Sequence, residues 1–156
     1  MSYYVETTDC DFTIKKENYG EAYRLLCELN ARDELKTGGC YPPCETRPEH
    51  SKSIARNPNV WFAWMPWNYD EVFGSAVEIL KAVGFSVEEN EGGICFVSYD
   101  TKSGCEEEFM AALAPVVEKG SYIEWEGESY GDLYRYEFDG ESMCILAGEM
   151  TWKAVG

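Results

Sequence analysis

The chain has 156 residues, of which 45% are hydrophobic and 15% aromatic, and this is enough apolar material for one folded domain of ordinary size. Its 29 acidic residues against 13 basic ones give a net charge of −16, which argues against direct binding to nucleic acid or to an anionic membrane. No apolar run approaches the roughly 18 residues that a membrane-spanning helix needs, so no membrane span is expected.

The acidic charge is concentrated in the second part of the chain. Residues 1–85 contain 13 acids and 9 bases, whereas residues 86–156 contain 16 acids and 4 bases. A surface of this sign attracts basic surfaces. Two interpretations are open: the charge serves solubility alone, or it forms an acidic face that meets a basic partner.

Seven cysteines are scattered along the chain at irregular spacings. The first residues, Met-Ser-Tyr-Tyr, show neither the basic nor the apolar segment of a signal peptide. We therefore expect a reducing, cytoplasmic environment, in which most thiols behave as small buried hydrophobes.

The predicted elements begin with a strand over residues 2–14, which is rich in β-formers, and a helix over residues 16–32. The helix carries apolar residues at helical spacing, which are Tyr19, Ala22, Tyr23, Leu26 and Leu29. The segment 37–58 contains two glycines and four prolines. Because proline removes backbone donors and restricts its neighbours, this segment is predicted to be a long irregular loop.

An aromatic segment follows the loop. Residues 60–65 are apolar throughout, which is typical of a central strand buried on both faces. Trp61, Phe62 and Trp64 are therefore predicted to lie in the core. Trp67 follows a proline outside this strand and is predicted to be exposed, where it could bind a partner.

Two more helices are predicted. The first is capped by Asp70, ends at Gly84 and carries an apolar stripe of Phe73, Ala76, Val77, Leu80 and Val83. The second opens with a capping-box pattern, Ser103 followed by Glu106, and stops near Gly120. Strands are predicted at 85–89, 94–99, 122–126, 133–138 and 143–147, with a possible last strand at 151–155. The first two are joined across residues 90–93, and a hairpin turn is predicted at residues 138–141, which contain Asp-Gly.

Strands and helices thus mix without regular βαβ alternation. We predict one α+β domain over residues 1–156. It has a mainly antiparallel sheet of five to seven strands, three helices packed on the sheet, and an irregular Cys/Pro-rich loop at about 37–58.

Four segments of the chain have a familiar sequence. They are Leu-Ala-Pro-Val-Val-Glu-Lys-Gly, Ser-Tyr-Ile-Glu-Trp-Glu-Gly-Glu and Leu-Tyr-Arg-Tyr-Glu-Phe-Asp-Gly in the last third, and Thr8–Ile14 near the start, which reads Thr-Asp-Cys-Asp-Phe-Thr-Ile. These segments resemble small uncharacterised acidic proteins of phages and bacterial genomes. They cover about half the chain. The resemblance implies a phage or mobile-element origin and carries no known activity.

The 37–58 loop contains the residues nearest to a metal-site pattern. Cys40 and Cys44 with His50 form the pattern nearest to a zinc site, because thiolates and imidazole are the ligands that zinc favours. A fourth ligand has no evident partner pair, and the alternative is a loop with incidental thiols. We expect no cofactor.

Catalytic motifs are absent from the sequence. It contains no nucleophile elbow, no phosphate-binding glycine loop and no His-Glu-x-x-His. A Cys–His nucleophilic pair would have to use His50, the one histidine. We therefore expect a protein that is not an enzyme. The alternatives are a small enzyme that uses Cys and His of the 37–58 loop, and a domain that binds a small ligand.

The acidic residues of the last hairpins are the main candidates for a binding face. The candidates are Glu124, Glu126, Glu128, Asp132 and Asp139. Alternation along the strand places Glu124 and Glu126 on one face, opposite Ile123 and Trp125. Carboxylates arrayed on a sheet could imitate the phosphates of nucleic acid, although the alternative is an ordinary solvated face.

These observations predict an interaction protein. Its concrete form would be a phage-encoded inhibitor, an anti-CRISPR protein or another anti-defence factor, acting in the host cytoplasm. Its acidic face would block a basic nucleic-acid-binding surface of another protein.

Overall fold

The computed structural model describes residues 2–40 and 59–156, and within them the chain has the predicted α+β composition. The strands are β1 (Tyr4–Asp11), β2 (Ile14–Lys15), β3 (Ser86–Asn90), β4 (Gly93–Ser98), β5 (Asp100–Lys102), β6 (Tyr122–Gly127), β7 (Leu133–Phe138) and β8 (Met143–Ala147). The α-helices are α1 (Tyr19–Asn30), α2 (Tyr69–Val72), α3 (Ala76–Val83) and α4 (Glu106–Leu113). Among the described residues, no helix is both long and apolar enough to cross a bilayer.

The strands form two antiparallel sheets. The predicted antiparallel pairing is confirmed, but the strands are divided between two sheets and do not form the single predicted one. The larger sheet has the order β5-β1-β6-β7-β8, and the smaller has the order β2-β4-β3. The division occurs where the predicted first strand is interrupted at Thr13. Its amide donates to the Ser121 hydroxyl and its carbonyl accepts from the Glu118 amide, so no strand pairs with it there. Ile14 then pairs with Ile94 of the smaller sheet.

The core lies on one face of the larger sheet, where α1 packs against α3 and α4. Trp125 and Tyr136 project from β6 and β7 into this core, and Trp125 is 1% exposed. The other large, fully buried side chains include Trp61, Tyr69, Phe12, Phe109, Leu26 and Ile79. Because side chains alternate along a strand, the opposite face of the larger sheet is left to solvent.

Residues 60–65 do not form the predicted strand. They make a bend and a turn, in which the Met65 amide donates to the Phe62 carbonyl at 3.0 Å. Trp61 and Phe62 are buried as predicted, but Trp64 is 58% exposed. The Trp64 ring stacks on Phe62 at 4.6 Å between centroids. The apolar run therefore marks a turn seated on the core.

The prediction that Trp67 is exposed is wrong. Trp67 is 6% exposed and packs with Val60, while its carbonyl accepts a hydrogen bond from the buried Asn30 side chain at 2.9 Å. Trp67 follows a proline and lies outside any strand, but its side chain is still buried in the interior. Trp67 therefore offers no exposed ring to a partner.

The second predicted helix is broken into α2 and α3. Phe73 is extended, and Ser75 caps α3 by accepting a hydrogen bond from the Glu78 amide, so Asp70 does not cap the apolar stripe. Gly84 ends α3 with a φ of 129°, as predicted. The possible strand at 151–155 is not formed.

Candidate partner-binding face

The solvent-facing side of the larger sheet, called here the open face, carries the predicted residues Glu124 and Glu126. Residues directly opposite on antiparallel strands share a face, so the strand register identifies its members. Its acids are Glu6, Asp9, Asp11, Asp100, Glu124, Glu126 and Glu137, and its bases are Lys102 and Arg135. The open face is therefore strongly acidic.

Three of these carboxylates stand side by side on adjacent strands and are called here the acidic row. Asp100 on β5 is opposite Glu6 on β1, which is opposite Glu126 on β6. Glu128 joins them around a hollow of about 110 Å³. The next residue across the sheet is Leu133, so no base in the described part of the chain stands in line with the row.

The acidic row places like charges directly opposite each other on neighbouring strands. Pairs of this kind are destabilising. Proteins tend to retain such local conflicts at functional sites. The row is therefore the part of the open face that most needs a cation from outside the chain.

The neighbouring part of the open face contains a base, Arg135, which pairs with two of its acids. Arg135 bonds Glu124 at 2.6 Å, lies 3.4 Å from Glu137 and covers the Tyr122 ring at 3.8 Å. The Tyr122 hydroxyl donates to Asp9 at 3.0 Å, and this hydrogen bond raises the pKa of Tyr122. These contacts hold an ordered patch of one base and three acids beside the acidic row.

An apolar groove of about 280 Å³ borders this patch. Its lining includes Thr8, Leu133, Leu146 and Gly148, together with Arg135. A partner that neutralises the acidic row could therefore also bury apolar surface next to it.

The predicted carboxylates of β6 lie where the sequence places them. Glu124 and Glu126 are half-buried on the open face, opposite the buried Ile123 and Trp125. Glu128 follows at the end of β6 and borders the same hollow as Glu126. These three residues are brought together.

Asp132 and Asp139 are not brought together with them in the same way. Asp132 accepts a hydrogen bond from Tyr3 at 2.5 Å and helps to close the β6–β7 turn. Asp139 lies in the β7–β8 turn, at the far end of β7, where its carboxylate accepts hydrogen bonds from the amides of Ser142 and Glu141, which lower its pKa. Both carboxylates therefore serve turn geometry.

Sequence reasoning missed the contribution of β1 and β5. Glu6, Asp9 and Asp100 were not candidates, although β1 lies at the centre of the acidic row. Alternation with the buried Val5 indicates which way Glu6 points. Nothing local indicates that β1 inserts between β5 and β6.

The proposed zinc ligands are only partly described. Cys40 is exposed, whereas Cys44 and His50 lie outside the described residues. Within residues 2–40 and 59–156, no group of three or more His, Cys, Asp or Glu side chains is placed to hold a metal ion. Burial raises the pKa of the Cys10 and Cys105 thiols to about 11, which makes them poor nucleophiles near neutral pH.

A second concave region lies at the aromatic turn. This cleft of about 610 Å³ runs between the turn and residues 102–104, and its lining includes Tyr3, Phe62, Trp64 and Lys102. It is the described region to which the ligand-binding alternative best applies.

The chain matches no protein-family model, no curated protein and no solved structure.

Proposed function

We propose that this chain is an interaction protein whose open face occupies a basic, nucleic-acid-binding surface of another protein. The observation that carries the proposal is the acidic row, Asp100, Glu6 and Glu126, with which no base of residues 2–40 and 59–156 stands in line. Lysine and arginine side chains of a partner would supply the missing cations.

The physical basis is electrostatic complementarity. Nucleic-acid-binding surfaces space their cations to meet phosphates, and a row of carboxylates on neighbouring strands presents anions at about 5 Å intervals. Attraction of this kind speeds the encounter of the partners and is weakened by salt. The groove beside Arg135 supplies apolar area that salt does not weaken.

The test removes the charge of the acidic row and leaves its shape. A triple variant, Glu6→Gln, Asp100→Asn and Glu126→Gln, is compared with a control, Glu17→Gln, Glu91→Gln and Glu107→Gln, which removes the same charge from exposed residues elsewhere. Wild type and both variants are immobilised, and proteins captured from a bacterial lysate at about 50 and 500 mM salt are identified by mass spectrometry.

We expect wild type and control to capture a basic nucleic-acid-binding protein at low salt, with less capture at high salt. The acidic-row variant should lose at least tenfold in affinity for the same protein, measured with the purified pair. Equal capture by all three proteins, or no basic nucleic-acid-binding partner at either salt, would contradict the proposal.

An inhibitor of phage defence is the concrete form to test first. Its target would be a nuclease that holds a guide–target duplex in a basic channel. The purified chain should slow cleavage of target DNA by such a nuclease, and the acidic-row variant should not. Unimpaired cleavage in a panel of such nucleases would remove this form and leave the broader proposal standing.

A further inference from the structure

The last strand of the larger sheet is an unprotected edge. β8 lies at the end of the strand order, and its sequence, Met-Cys-Ile-Leu-Ala, contains no charge and no proline. Ile145 and Leu146 are 44% and 41% exposed. An exposed apolar edge of this kind is a template for pairing with another strand.

The other edge strands of the described residues are protected. β5 has only three residues, two of them charged, and β2 has two residues. β3 carries Glu88 and Glu89. Shortness and charge are the usual means by which sheets prevent edge pairing, and β8 has neither.

The hydrogen-bonding pattern shows which backbone groups of β8 face outward. The Phe138 amide donates to the Ser121 carbonyl, on the β6 side of β7. The Gly148 amide donates to the Leu133 carbonyl at 2.8 Å, on the β8 side. By alternation along antiparallel strands, Cys144 and Leu146 bond to β7. The N–H and C=O groups of Met143, Ile145 and Ala147 therefore point away from the sheet, where no described residue pairs with them.

We propose that β8 pairs with β8 of a second copy of this chain, antiparallel and about a two-fold axis at Ile145. In this register Ile145 faces Ile145 of the other copy, and Met143 faces Ala147 in both directions. Each of these three pairs exchanges two backbone hydrogen bonds. All outward groups of the strand are then paired, and the larger sheets of the two copies become continuous.

The charge distribution makes β8 the place where two copies can approach, and it gives a basic partner nothing to bind there. Two chains of net charge −16 repel each other over most of their surfaces, but the five residues of β8 carry no charge, so no carboxylates are opposed within the paired strands themselves. The outward residues are also symmetric about Ile145, as a two-fold contact requires. A basic partner would find no carboxylate on this strand.

The area available fits a weak dimer. A stable interface buries about 1,200–2,000 Å² in total, more than a five-residue strand supplies. The tail after β8 adds Met150 and Trp152, which are 41% and 83% exposed. A tryptophan buries about 150–250 Å² when covered. In the proposed register each tail passes the β7–β8 turn of the other copy, so these side chains extend the contact.

The dimer and the proposed function respond to salt in opposite directions. Continuing the register places Glu141 of each copy beside Glu149 of the other, which is a repulsion that salt screens. Added salt should therefore tighten the dimer, whereas it should weaken capture of a basic partner. Either proposal can fail without the other.

The test uses charges placed on the two-fold axis. Ile145→Lys and Ile145→Glu each put like charges opposite each other in a homodimer, and an equimolar mixture of the two proteins puts opposite charges there. Sedimentation velocity on the 17.7 kDa chain at about 150 mM salt is expected to show a concentration-dependent dimer for wild type. Each variant alone should dimerise at least tenfold more weakly, and the mixture should recover most of the loss.

A second measurement on wild type keeps the proposal testable if a variant does not fold. Amide hydrogen exchange of Ile145 and Ala147 should slow as protein concentration rises, while that of Lys102, an outward-facing amide on the protected edge β5, should not. A chain that stays monomeric at several hundred micromolar would overturn the proposal. So would a dimer whose Ile145 and Ala147 amides exchange at a rate independent of concentration.

Discussion

Glu106 is a buried carboxylate that accepts two hydrogen bonds. It is 4% exposed and accepts hydrogen bonds from the Ser103 hydroxyl at 2.8 Å and the Gly104 amide at 2.7 Å. The capping-box pattern correctly predicted the contact with Ser103. In a capping box the glutamate is the third helical residue, whereas α4 begins at Glu106 itself, so the contact holds the residues that precede the helix. Its neighbour Glu107 is exposed.

This difference predicts unequal effects of the same substitution. Glu106→Ala should lower the free energy of unfolding by about 1–3 kcal/mol, because two donors lose their acceptor in a buried place. Glu107→Ala should change it by less than about 0.5 kcal/mol. Urea denaturation of the two variants measures both values. Equal losses would mean that the Glu106 hydrogen bonds contribute nothing.

The thiols also show how placement decides chemistry. Cys105 and Cys10 are surrounded by protein and by carboxylates, and both features raise the thiol pKa. A catalytic cysteine needs the reverse, which is an electropositive and partly exposed place. An enzyme that uses a thiol would therefore have to use a cysteine other than these two.

Two glycines illustrate what holds the elements in place. Gly38 lies against the aromatic turn so closely that an added Cβ would come within 2.5–2.6 Å of backbone atoms of Trp61 and Phe62. Gly20 lies in α1 with open space around it. The first glycine is required by packing, and the second is not.

Alanine should therefore have opposite effects at these two positions. Gly38→Ala should lower the free energy of unfolding by more than about 2 kcal/mol, because backbone must move to admit the methyl group. Gly20→Ala should raise it by up to about 1 kcal/mol, since alanine has the higher helix propensity. Thermal unfolding of both variants gives the signs, and a stabilised Gly38 variant would contradict the described turn.

The elements that the sequence predicted well are those whose pattern is local. α1 and the strands β6, β7 and β8 lie within a few residues of their predicted bounds, because each has a clear period and a turn signal at its end. The aromatic run at 60–65 has no period, and an apolar run suits a buried turn as well as a buried strand. Only its neighbours, such as Gly38, decide between them.

The part of the candidate site that lies on one strand could be predicted from sequence, because its pattern is local. Alternation along β6 placed Glu124 and Glu126 on one face, and the structure agrees. The acidic row additionally needs β1 between β5 and β6, pairings that join residues about 100 positions apart. No local pattern encodes which distant strands meet, so Glu6 and Asp100 could not be assigned to the site from sequence.

At the scale of the whole molecule, the net charge is −16, and individual carboxylates differ in their expected effect on the free energy of unfolding. Glu126 and Glu124 lie two residues apart on β6 and share the open face. Glu126 is opposite Glu6 and has no basic partner across the sheet, whereas Glu124 is bonded to Arg135 at 2.6 Å. One carboxylate therefore opposes folding and the other supports it.

Neutralising these two residues should shift stability in opposite directions. Glu126→Gln relieves a like-charge pair and should raise the free energy of unfolding by about 0.2–1 kcal/mol. Glu124→Gln removes a partly exposed ion pair and should lower it by up to about 1 kcal/mol. Urea is the appropriate denaturant, because guanidinium chloride would screen the charges being measured. The gain from Glu126→Gln should shrink as sodium chloride is raised from 10 mM to 500 mM, since screening removes the repulsion that the substitution relieves. Shifts of the same sign and size in both variants would mean that the acidic row does not destabilise the fold, and that its carboxylates form an ordinary solvated surface.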